Sequence, residues 1–71
     1  MSFPKTLIGM VVDKYGKYGW EVECKNAPSH LKHHFLASLQ CRKVNMRLGI
    51  AVELVYASSP SSGLWYVTKE V

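Results

Sequence analysis

Residues Trp20 to Cys24, WEVEC, alternate without exception: Trp20, Val22 and Cys24 fall on one side, Glu21 and Glu23 on the other. Strand side chains point to opposite faces with a period of two, whereas a helix would scatter this pattern around its circumference. The stretch is therefore a strand with one buried and one wet face. The preceding run TLIGMVV, from Thr6 to Val12, is apolar and β-branched and reads as a second strand, with Gly9 marking a bend or bulge. Between them DKYGKYG supplies two glycines, two lysines and two tyrosines, which predicts a hairpin with a long cationic, aromatic loop. Asn26 and Pro28 then break the chain. A third strand is expected into about Leu36, followed by a short helical turn over ASLQCRK and a connector, VNMRLG. In IAVELVYA, Ile50, Val52 and Leu54 alternate with Ala51, Glu53 and Val55, a fourth strand. SSPSSG is a small polar loop, and LWYVTKEV is a last strand rich in aromatic and β-branched residues.

Five short strands in 71 residues leave room for one domain, residues 1–71, with one small core. Closure into a barrel removes exposed edges. The expected fold is all-β: a small five-stranded OB-fold-like barrel with one short helical turn between strands 3 and 4. A small Sm-like or SH3-like barrel and an α+β sandwich are the alternatives. No run approaches the roughly 18 apolar residues of a membrane span, and the N-terminal apolar stretch runs into Asp13 and Lys14 without a cleavage site. No membrane association is expected. The chain reads as cytoplasmic, with its two cysteines reduced.

The order GMVVDKYGKYGWEVECKN, CRKVNMRLG, VELVYASSPSSGLWYV resembles bacterial translation initiation factor 1 and related RNA-binding OB modules. Gly9, Val11, Trp20, Val22, Glu23 and Asn26 are similar in spacing to that family's first two strands. Arg42, Lys43, Asn45, Met46 and Arg47 resemble its basic stretch; Val52, Glu53 and Leu54 resemble its fourth strand, and Gly63 to Val67 its last. The segment before the fourth strand is shorter here, and Asn26-Ala27-Pro28 stands where the family has Asn-Gly. The resemblance implies an OB barrel that binds RNA, in translation or its regulation.

The residues themselves point the same way. Nine Lys and Arg stand against five acids, a net charge of +4 that favours phosphate. Tyr15, Lys17, Tyr18 and Trp20 interleave aromatic and cationic groups, the pairing that single-stranded nucleic acid uses for stacking and backbone contact. From Lys25 to Val52 there is no acid, and this span holds Lys32, His33, His34, Arg42, Lys43 and Arg47. The candidate phosphate contacts are Lys14, Lys17, Lys32, Arg42, Lys43 and Arg47. The candidate stacking groups are Tyr15, Tyr18, His34 and Phe35. Trp20 alternates with Val22 and Cys24 and is expected in the core.

Other chemistries fit less well. Cys24, His30, His33, His34 and Cys41 are zinc-ligand types, but the spacing C-x5-H-x2-H-H-x6-C matches no common finger, so no metal or other cofactor is expected. A Cys–His nucleophile lacks a third member and an oxyanion loop, and no phosphate-binding glycine loop is present, so neither enzymatic activity nor a small-molecule substrate is expected. The expected partner is single-stranded or ribosomal RNA. The alternative is a protein, bound by an adaptor or inhibitor through a barrel edge strand or an exposed aromatic. Trp65 and Tyr66 are adjacent on opposite faces, so one of them is expected outside.

Overall fold

The computed structural model describes residues 6–25, 27–56 and 64–71 of the chain. The predicted SSPSSG loop, together with Asn26, lies outside the described residues. Five strands form: β1 (Thr6–Tyr15), β2 (Gly19–Glu23), β3 (His33–Leu36), β4 (Ala51–Tyr56) and β5 (Trp65–Glu70). Two 3-10 turns, η1 (Ser29–Leu31) and η2 (Ser38–Cys41), flank β3. All pairings are antiparallel, in one sheet of order β3-β2-β1-β4-β5. Among the described residues no helix is long and apolar enough to cross a membrane.

The strand β1 organises the sheet. Its first half pairs with β4, from Thr6 opposite Val55 to Met10 opposite Ala51. Its second half pairs with β2, from Met10 opposite Glu23 to Tyr15 opposite Gly19. The register shifts between Val11 and Asp13, so the expected irregularity falls at Val12 and not at Gly9. An extra residue at such a bulge bends the strand and increases its twist, which lets one strand serve both halves. Gly9 has a different task. A Cβ there would stand 2.5 Å from Val22 Cγ1 and 2.7 Å from Cys24 Sγ, so the bare glycine lets β2 and its buried side chains close on β1. Gly9→Ala is expected to cost about 1–3 kcal/mol by overpacking, read as a lower urea midpoint at unchanged m-value.

The strand β1 also runs further than expected, through Asp13, Lys14 and Tyr15, and the loop shrinks to Gly16, Lys17 and Tyr18. Cross-strand pairing of Asp13, Lys14 and Tyr15 with Glu21, Trp20 and Gly19 extends the ladder where composition alone suggested a turn.

The core follows the alternation. Val11, Val22, Cys24, Leu36, Val52, Leu54, Trp65 and Val67 are almost wholly inaccessible. Trp20 is half-buried and packs at the core's edge. Of the adjacent aromatics, Trp65 is inside at 0% exposure and Tyr66 is outside.

Five short strands suggest a closed or nearly closed barrel; full closure is not what the described residues show. The sheet's edges are β3 and β5, and among the described residues no ladder joins them. Four-residue β3 ends at Leu36, and the chain turns into η2. Gln40 fixes that turn. Its Oε1 accepts from the Ala37 N–H at 3.0 Å, and its Nε2 donates to Trp65 O at 2.6 Å. A turn, not a strand, therefore hydrogen-bonds to β5 from the β3 side, while the Trp65 ring fills the space behind it, 5.2 Å from the His34 ring.

Candidate functional site

The turn η2 and the connector after it divide two grooves. The larger, about 750 Å³, lies between η2 and the β4–β5 hairpin, with Arg42 and Lys43 on one wall and Tyr56, Tyr66 and Val67 on the other. The smaller, about 310 Å³, lies between the β1–β2 loop and the connector, lined by Lys14, Lys17, Tyr18 and Trp20 opposite Asn45 and Met46. No acid lines either groove. In the smaller one, Lys14 Nζ sits 4.3 Å from the Trp20 ring centroid, and Lys17 Nζ 5.5 Å from that of Tyr18. Each cation is thus held over an aromatic face, and each contact contributes about 0.5–1 kcal/mol at an exposed site.

The residues predicted to act together are only partly brought together. Lys14, Lys17 and Tyr18 share the smaller groove, and Arg42 and Lys43 share the larger one. Tyr15 and Phe35 are exposed and in contact, ring centroids 5.0 Å apart, but they lie on the outward face of the sheet, where Phe35 is paired with Glu21. Their contact crosses Gly19: a Cβ there would meet Tyr15 O, Leu36 O and the Tyr15 ring, so the missing side chain leaves the ring room over β2. Lys32 lies just before β3, beside η1, at the other end of that strand from the β1–β2 loop. Arg47 is engaged already, donating from Nη1 to Asn45 O at 2.9 Å and from Nη2 to Glu70 Oε2 at 3.0 Å.

The two adjacent histidines take opposite roles, and one expectation is corrected. His34 was a candidate stacking group, but its side of β3 is the core side. It is 7% exposed, its ring packs against Trp65, and its Nε2–H donates to Leu31 O at 2.7 Å. At that exposure the ring offers little surface for stacking. His33 points out, not into a cationic patch but between two glutamates, with Nδ1 3.1 Å from Glu21 Oε2 and Nε2 3.7 Å from Glu23 Oε2.

Burial lowers the pKa of His34, with a smaller lowering from His33; the bond to Leu31 O opposes them. The folded state therefore resists protonation more than the unfolded chain. Above the ordinary histidine range both states are neutral and His34 has no pH effect. Below about pH 6.5 the unfolded chain takes the proton first, so stability falls as pH falls, by at most about 1.4 kcal/mol per pH unit from this group. Thermal melts from pH 7 to 5 are expected to show this loss, and His34→Gln to flatten it. An unchanged slope in the folded variant would remove His34 as the cause.

The two cysteines are not bridged to each other. Cys24 is buried in the core, and burial, reinforced by Glu23, pushes its thiol pKa up to about 11. Cys41 is raised too, by burial. Both thiols are therefore poor nucleophiles at neutral pH. Among the described residues no three His, Cys, Asp or Glu side chains converge as metal ligands.

No family model, curated protein or solved structure matches this chain. The site therefore rests on its own geometry. Reading the sequence missed two of its parts. Gln40, which pins η2 beside Trp65, has no distinguishing signal in sequence, because its two partners lie 3 and 25 residues away. Tyr56 joins the groove only because β4 and β5 pair and set it opposite Trp65, with ring centroids 5.4 Å apart.

Proposed function

We propose that this chain is a small OB-type RNA-binding module, which takes single-stranded or ribosomal RNA and acts in translation or its regulation. The observation that carries the reading is the pair of acid-free grooves on either side of η2, each lined by two cations and by aromatic rings. Phosphates track the cations while bases stack on Tyr18 and Tyr66, a sequence-tolerant mode in which stacking contributes about 1–3 kcal/mol per base. The five-stranded antiparallel sheet, with a short turn between its third and fourth strands, is compatible with the OB-type reading. The resemblance to the initiation factor family supports RNA over DNA.

The reading is tested by amide chemical-shift titration with a short mixed-sequence single-stranded RNA at low and moderate salt. The expected shifts fall on Lys14 to Tyr18 and on Leu39 to Lys43, and fade as salt rises, because binding releases counterions. A folded spectrum without shifts at low salt would overturn the reading.

A further inference from the structure

The chain carries a net charge of +4, yet four of its five acids stand on one face. Asp13 is paired with Glu21, Glu23 with Met10, and Glu53 with Ile8, and paired residues project from the same side of a sheet. This is the outward side, opposite Val11, Val22, Val52 and Leu54. Between the acids runs an apolar stripe on β1: Ile8, Met10 and Val12, which are 51%, 44% and 41% exposed. Four of the nine Lys and Arg, namely Lys14, Lys17, Arg42 and Lys43, line the two grooves beside η2 instead. Among the described residues, His33 pairs with Glu21 and Glu23, and Lys69 Nζ lies 3.9 Å from Glu53 Oε2.

The position of the stripe restricts what can cover it. The strand β1 is the middle strand, and its backbone is taken up by ladders to β2 and β4. A partner strand cannot add there, so the occupant must lie on the face as a packed element. From Ile8 to Val12 is about 13 Å along a strand, the length of roughly nine helical residues. An anionic lipid surface is repelled by the acids. A second copy packed face to face would set carboxylate against carboxylate.

We propose that this face docks a cationic amphipathic helix of a partner protein. Its apolar stripe lies on Ile8, Met10 and Val12, and its Lys or Arg flanks meet Glu21 and Glu23 on one side and Glu53 on the other. The charge complementarity sets the orientation of the helix and the apolar stripe supplies the burial. None of Ile8, Met10, Val12, Glu21, Glu23 and Glu53 lines either groove, so either assignment can fail without the other.

The test uses the full chain and a synthetic amphipathic Leu/Lys peptide of about four turns, with a Leu/Glu peptide of the same pattern beside it. Amide shifts are followed at low salt. Saturable shifts centred on Ile8, Met10, Val12 and Glu23 with the Lys peptide are expected, and none with the Glu peptide. Met10→Ser, and separately Glu23→Gln with Glu53→Gln, are each expected to weaken binding roughly tenfold. All three positions are at least partly exposed, so the variants keep the folded spectrum. Absence of saturable binding, equal binding of both peptides, shifts elsewhere, or full affinity in both variants would overturn the proposal. So would concentration-dependent sedimentation of the free chain that Met10→Ser abolishes, which would give the face to a second copy.

Discussion

Replacing Trp65 by alanine is expected to leave the chain largely unfolded at 25 °C. The side chain is fully buried, and its ring meets His34 and Tyr56 at 5.2 and 5.4 Å. It fills the space between the edge strands β3 and β5, which no ladder joins among the described residues. Removing a buried tryptophan costs about 3–5 kcal/mol. A domain of this size has little more than that in reserve, since it buries only about 60% of its unfolded surface. Far-UV circular dichroism and the spread of amide shifts read the outcome. Trp65→Phe keeps most of the volume and is expected to stay folded with a lower urea midpoint. A Trp65→Ala variant that melts within a few degrees of the parent would mean that the core does not depend on this ring.

Charge reversal at the grooves is expected to act on binding and not on the fold. Lys14→Glu with Lys17→Glu changes one groove, and Arg42→Glu with Lys43→Glu changes the other. All four side chains are exposed, so each double variant is expected to keep the native spectrum. The largest structural loss is the contact of Lys14 with Trp20, about 0.5–1 kcal/mol. Affinity for single-stranded RNA at low salt is expected to drop on the order of a hundredfold for each pair. The log–log salt dependence should flatten by about 1.4, because two phosphate contacts are lost at about 0.7 each. If only one pair matters, RNA uses one groove. If neither pair changes the affinity of a folded protein, the RNA assignment fails.

The acids determine what such variants leave untouched. Glu21, Glu23 and Glu53 lie on the outward face and line neither groove, so the reversal leaves that surface as it was. The RNA titration and the peptide titration therefore report on two separate surfaces of one small domain.

Alternation by itself determined which side chains turn inward. Val22 and Cys24 against Glu21 and Glu23, and Val52 and Leu54 against Glu53, fall as a period of two requires. The break at Pro28, the end of β3 at Leu36 and the turn that follows were also legible, because turn residues and hydrophobic runs act over a few neighbours. Of the candidate site, the cationic and aromatic composition was legible, but its grouping was not. The separation of Tyr15 and Phe35 from Tyr18 depends on the register that pairs Tyr15 with Gly19. The burial of His34 beside an exposed His33 depends on which face of β3 meets Trp65, a residue 31 positions away. The gathering of the acids onto one face comes from strands 8 to 40 residues apart lying side by side. Only the tertiary structure decided these points, because they depend on which strands pair and in what register, and pairing energies are shared between residues distant in the chain. The same holds for the open edge between β3 and β5: local sequence specifies five strands, but the docking of η2 through Gln40 decides that a turn lies where a closing ladder was expected.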